Sequence, residues 1–256
     1  MHSGIHPTAI VSPNAELGDD VAIGPYAVVE APVSIGAGSR VGAHSVILPF
    51  SRLGNANRVH AHVIIGDEPQ DLSFEGAETW VEIGEENIIR EGVTIHRSTD
   101  PELPTRIGSN CFLMAHSHVA HNCQVGNGVV MTNNALLAGH VEIGDQVVLG
   151  GGAAVHQFCR VGAMAMVSGL AGVLKDVLPY AVVHEAPARH YRLNTVGLRR
   201  AGIRGERYRV LENAFRELRA GSGLSADHPS TLEVEHLRRW LARPSKRGLS
   251  GFVRKG

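Results

Sequence analysis

Aromatic side chains are scarce in this sequence, only 5% of its 256 residues. That argues against a core assembled around large rings and favours one of regularly repeated aliphatic side chains. Cysteine is scarce too. Cys111, Cys123 and Cys159 are odd in number and follow no framework spacing, which argues against a disulfide scaffold. They are expected as buried, reduced thiols in a cytoplasmic protein. No apolar run reaches the roughly 18 residues that suggest a membrane-spanning helix. The opening stretch MHSGIHPTAIVSPNAELG lacks the basic and apolar segments of a secretory signal. Charge of either sign is not in excess: the net is −1, which gives no reason to expect a nucleic-acid partner.

The balanced total hides an asymmetry. Residues 181–256 hold 16 of the 24 Lys and Arg but only 7 of the 25 Asp and Glu, so they carry +9 against −10 for residues 1–180. A basic tail on an acidic body sets up a local field that draws in an acidic partner.

What the sequence has in abundance is a period of six. An Ile, Leu, Val or Met stands at every sixth position from Ile5 to Ile65, again from Ile83 to Ile95, and again from Ile107 to Val173. Glycine often follows, as at Gly18, Gly24, Gly36 and Gly126. This period is neither helical nor that of a hairpin sheet. It suits a triangular coil of three hexapeptide sides, with the aliphatic residue pointing inward and stacking on its counterpart in the next coil. The expected fold is therefore a parallel β-helix of hexapeptide repeats over 1–180, with a small C-terminal α-helical appendage over 190–256. Two breaks, 67–80 and 97–105, contain Pro69, Pro101 and Pro104 and are expected as loops leaving the prism. Asn194 is placed to cap a first helix. Apolar spacing predicts further helices over 207–219 and 232–241, which close the end of the solenoid.

A coil of 18 residues places side chains over one another. His121 then stacks against Gly139, and Asn122 against His140. A histidine is the usual general base near neutral pH, and a glycine beside it leaves room for substrate and an N–H for an oxyanion. A zinc hydratase built on the same repeat is a competing reading. The histidines show no three-ligand set, so no metal and no cofactor is expected.

Several segments are more specific than the repeat: IHPTAIV at 5–11, QDL at 70–72, VTIHR at 93–97, HVAHNC at 118–123, NNALLAGHVEIGD at 133–145, AVHQFCRVGAMAMV at 154–167, LNTVGLRRAGI at 193–203 and SKRGL at 245–249. Together they resemble the UDP-N-acetylglucosamine O-acyltransferase family of lipid A biosynthesis, over nearly the whole chain. The resemblance implies a left-handed β-helix and a homotrimer with each cleft between neighbouring prisms. It implies transfer of a 3-hydroxyacyl chain from acyl carrier protein to the sugar 3-hydroxyl. His121 matches the general base and Gly139 the oxyanion donor, with Asn122 beside the base. Asp71, His96, His118, His140, His156 and Gln157 match residues that position sugar and acyl chain. Asn194 and Arg200 match the nucleotide end, and Met166 and Gly169 the acyl-length region, where glycine implies a longer chain. Acyl carrier protein is acidic, and the +9 segment is its expected dock. Another hexapeptide acyltransferase, using coenzyme A or a different acceptor, is the alternative.

Three positions depart from the family. Asn122 replaces the usual Asp, which implies a weaker base. Ser73 stands where lysine is common. Glu185–Ala186 stands where Gly-Asn is usual and brings a negative charge towards the expected nucleotide end.

Overall fold

The computed structural model describes residues 4–253. Short parallel strands wind into a triangular solenoid of three sheets. The first has 11 strands, the second 9 and the third 8, and each coil contributes one strand to each. The aliphatic sixth positions from Ile23 to Val173 are all buried and form one continuous column. Ile5 is 52% exposed, because among the described residues no coil covers it on its outer side. A fully buried Val, Leu or Ile contributes roughly 1.5–3 kcal/mol, so the column dominates the stability of the prism. Cys111, Cys123 and Cys159 are free and buried in it, as expected. Burial pushes the Cys123 thiol up to about 12, which leaves it inert.

Corners carry residues in the left-handed conformation, including Asn122, His140 and Phe158 between the second and third sheets. Both expected loops leave at this same corner, in adjacent coils. One joins the strand Ile64–Asp67 to Val81–Ile83, and the other joins Thr94–His96 to Thr105–Ile107. They lengthen the coil from 18 to 30 residues between Ile65 and Ile95, and to 24 between Ile95 and Val119.

The outward residues differ sharply between sheets. The third sheet shows Glu16, Ser34, Arg52, Glu82, Arg106, Gln124, Glu142 and Arg160. The first shows Arg40 and Arg58 in its early coils and then Ile88, Phe112, Val130, Val148 and Met166. The second shows Ile10, Val28, Val46 and Ile64 and, further on, Leu136 and Ala154.

Beyond Val173 the strand Ala181–His184 extends the first sheet in parallel, and Arg189–Leu193 turns back antiparallel to it. Three helices follow: α1 (Thr195–Arg200), α2 (Gly205–Ala220) and α3 (Leu232–Ala242). Asn194 caps α1 by accepting from Gly197 N–H, as its position predicts. The helices bury Leu198, Leu211, Phe215, Val234 and Leu237 against Leu178, Tyr180 and Leu193, and so cover the end of the solenoid.

Candidate active site

The corner between the second and third sheets gathers most of the residues singled out from the sequence. His121, Gly139 and Gln157 occupy equivalent turn positions in three successive coils, with Asn122, His140 and Phe158 directly after them. The imidazole of His121 lies flat on Gly139: a Cβ there would sit 2.6 Å from Cε1 and 2.7 Å from Nε2. Only glycine fits beneath this ring. Among the described residues Gly139 N–H has no hydrogen-bond acceptor, while its neighbours Ala138 and His140 donate to Val155 O and His121 O. Among the described residues the N–H at this turn position is unpaired in the adjacent coils as well, and Gly139 has no side chain of its own to screen it.

His121 Nδ1 is 2.7 Å from Asn122 Oδ1. Nε2 has no protein partner among the described residues, and His121 lines a hollow of about 530 Å³ on the second sheet. His118, His156, Gln157, Gln70, Leu136 and Leu174 line the same hollow. His118 is pushed down to about 4, first by burial and then by His96 and His121, so at neutral pH it is an uncharged ring. Its Nδ1 is 2.7 Å from Thr94 Oγ1. His96 is buried edge-on to His118 and lowered mainly by burial. His140 meets His121 edge-on, stacks on Phe158, and is also lowered chiefly by burial. The pocket thus surrounds its candidate base with neutral rings that orient polar groups without repelling a proton.

Asp71 reaches the site from the loop at 68–80, close enough to feel His121 and His140. Ser73, at one of the departures, donates to Asp71 Oδ1 from its N–H and its hydroxyl and holds the carboxyl below the usual range. Arg97 anchors that loop. Its guanidinium donates to Ala77 O at 2.8 Å, pairs with Glu68, and lies over the Phe74 ring.

Met166, Asn194 and Arg200 lie elsewhere in the chain. They line a separate hollow of about 700 Å³ on the first sheet, with Val148, Val182 and Val196. Asn194 is committed to structure: its Oδ1 caps α1 and its Nδ2 donates to Met164 O. Gly169 sits at the exposed corner between the first and second sheets, outside both hollows. Glu185 also lines neither. It pairs with His184 and Arg189 in its own hairpin. Among the described residues no three His, Cys, Asp or Glu are grouped to hold a metal.

Two residues that touch the site went unnoticed in the sequence, Ser98 and Thr99, both bonded to Asn122. The signal was available in the spacing. The loop at 97–104 stretches its coil to 24 residues, and Asn122 stacks on the residue 24 before it, not 18.

A hexapeptide solenoid that seats an imidazole and an open N–H at one corner defines a class, the hexapeptide-repeat acyltransferases. The bacterial transferase hexapeptide model matches residues 14–49 and 104–139, and a second model, described as UDP-N-acetylglucosamine O-acyltransferase domain 2, matches 176–250. An acyl-[acyl-carrier-protein]--UDP-N-acetylglucosamine O-acyltransferase of Alkalilimnicola ehrlichii is 53% identical over 83% of this chain and 83% of its own length. The protein of the same name from Thiobacillus denitrificans is 43% identical over 96% of this chain and 98% of its own. The solved structure of LpxA from Acinetobacter baumannii superposes with a TM-score of 0.91 at 37% identity, covering 96% of this chain and 99% of that one. The chain belongs to the UDP-N-acetylglucosamine O-acyltransferase family and is an enzyme.

Proposed function

We propose that this enzyme transfers a 3-hydroxyacyl chain from acyl carrier protein to the 3-hydroxyl of UDP-N-acetylglucosamine, the first step of lipid A biosynthesis. The observation that carries the reading is the seating of His121 on Gly139, with a partnerless Nε2 on one residue, an unpaired N–H on the other, and both residues lining the same hollow. His121 Nε2 takes the proton of the sugar hydroxyl as its oxygen attacks the thioester carbonyl. The C=O becomes an oxyanion that accepts from Gly139 N–H. Collapse breaks the C–S bond, and the carrier thiolate recovers the proton from the imidazolium. Asp71, His96, His118, His140, His156 and Gln157 position sugar and acyl chain, and Asn122 orients the base.

Arg200 serves the nucleotide diphosphate, because its fork of donors is permanently charged. Asn194 acts at that end by fixing the start of α1. Met166, with Gly169 nearby, bounds the acyl chain, and a longer chain is the expected donor. Arg199, Arg200 and Arg204 have no carboxylate partner among the described residues and offer an acidic carrier a place to dock.

The two hollows lie on different sheets, so one protomer holds two half-sites. A homotrimer that sets the first sheet of one copy against the second sheet of the next would join them. The largely apolar outer faces of those two sheets, beside a largely charged and polar third face, support this assembly. No described helix is long and apolar enough to cross a membrane. Three buried free thiols favour the cytoplasm as its compartment.

The test is acyl transfer by the purified protein, with UDP-N-acetylglucosamine and a series of 3-hydroxyacyl carrier proteins. His121→Ala is expected to lose about 10²- to 10⁴-fold in kcat. A His121→Ala variant that keeps its rate, or a wild type that acylates only from coenzyme A, overturns the reading.

A further inference from the structure

Asn122 is only 2% exposed, and its amide has a definite orientation that the surrounding hydrogen bonds dictate. Ser98 Oγ donates to Leu103 O at 2.6 Å. With its proton so committed, the oxygen can only accept, and it does so from Asp100 N–H at 3.0 Å and from Asn122 Nδ2 at 2.6 Å. On the other side of the amide, Thr99 presents two donors to Asn122 Oδ1, its N–H at 3.2 Å and its hydroxyl at 2.9 Å. Rotating the amide by half a turn would set NH2 against the Thr99 N–H, donor against donor, and leave Ser98 facing an oxygen without a proton to give.

Oδ1 therefore faces His121, and the atom 2.7 Å away, Nδ1, must carry the ring proton. A neutral imidazole has one such proton, so Nε2 is left with its lone pair free, against Gly139. A carboxylate in place of Asn122 would accept on either oxygen and fix the tautomer unaided. An amide presents a donor or an acceptor according to how it is turned, and it needs neighbours that decide which.

We propose that Ser98 and Thr99 are positioning residues of acyl transfer: through Asn122 they hold His121 in the tautomer whose Nε2 accepts the proton. The loop at 97–104 is then a part of the catalytic apparatus that the amide at 122 makes necessary. This inference rests on His121 being the base.

The test combines kinetics with ¹⁵N NMR of the histidine rings, His121→Gln supplying the assignment. In Thr99→Val and in the Ser98→Ala, Thr99→Val pair, kcat is expected to fall, by about 10-fold or more in the pair, with KM for both substrates nearly unchanged. The NMR signature of a protonated Nδ1 and bare Nε2 at His121 should give way in part to the opposite tautomer. Thr99→Ser, which keeps the hydroxyl, should restore most of the rate lost in Thr99→Val. Folded variants that keep both kcat and the Nδ1–H signature overturn the proposal, as does a fall confined to KM. The NMR measurement needs no turnover, so it decides the tautomer even if the wild type fails to transfer an acyl group.

Discussion

The hollow on the second sheet is lined by imidazoles, an open N–H and a few apolar side chains, whereas the hollow on the first sheet offers Met166, three valines and the Arg200 guanidinium but no group able to take a proton. On the proposed function, one serves chemistry and the other recognition. Each opens on a stretch of its face where the outward residues are mostly apolar. The third sheet shows mostly charged and polar residues outward, and the hollow along it is lined by Glu82, Arg106, Glu142 and Arg160. The difference teaches how a uniform coil becomes an enzyme: the inward column is the same on all three sides, and function is written in what each side shows outward.

Breaking the apolar faces should have the largest effect. Val130→Glu puts a charge on the outer surface of the first sheet. It is expected to lower the sedimentation coefficient towards that of a monomer and to take transfer below detection, while Ser34→Glu on the third sheet leaves the sedimentation coefficient and transfer as in the wild type. Next comes the chemical hollow. Gly139→Ala drives a methyl into the His121 ring and is expected to cost about 10²- to 10³-fold in kcat with little change in KM. The recognition hollow should respond in the opposite parameter: Arg200→Ala raises KM for the nucleotide sugar by about 10-fold and spares kcat. Asn122→Asp adds a charge that favours the imidazolium formed during transfer. A rise in kcat of about 3- to 10-fold is expected, and an unchanged rate would mean that the amide is no handicap.

The smallest effect is on stability against pH. His118 and His190 are both lowered from 6.5 to about 4, chiefly by burial. In the unfolded chain they bind protons below pH 6.5, and in the folded chain only near pH 4. Stability should thus be constant above that window, fall as pH drops through it, and level off below. Thermal midpoints measured across the window, with His118→Gln flattening the slope, check this.

The coil, its inward column and both loops were legible because six-residue spacing survives any surface change. The pairing of His121 with Gly139 was legible for the same reason, since no insertion separates them. What escaped was whatever depended on an insertion or a face. Ser98 lies 24 residues from Asn122, so a fixed repeat of 18 passes it by. The capping of α1 was readable from Asn194, yet the full commitment of that side chain, through Met164 O, depends on how the helix is seated on the prism. The partner of Glu185 likewise depends on the hairpin that sets it beside Arg189, which sequence proximity to Asn194 does not show.

The left-handed backbone at Asn122, φ 60°, has a consequence for how this site can drift. Apart from glycine, few residue types adopt that conformation readily, and Asn and Asp lead them. The ring beside it demands an oxygen acceptor, which glycine lacks. The same corner carries His140 and Phe158 in this conformation, so the backbone favours rather than dictates; with the hydrogen bond added, Asn and Asp are the two words best suited to this position, one neutral and one charged, and in the genetic code they differ by a single base. A lineage can therefore exchange the charge behind its catalytic histidine in one step and without passing through an inactive intermediate, provided the loop opposite can read whichever word is present.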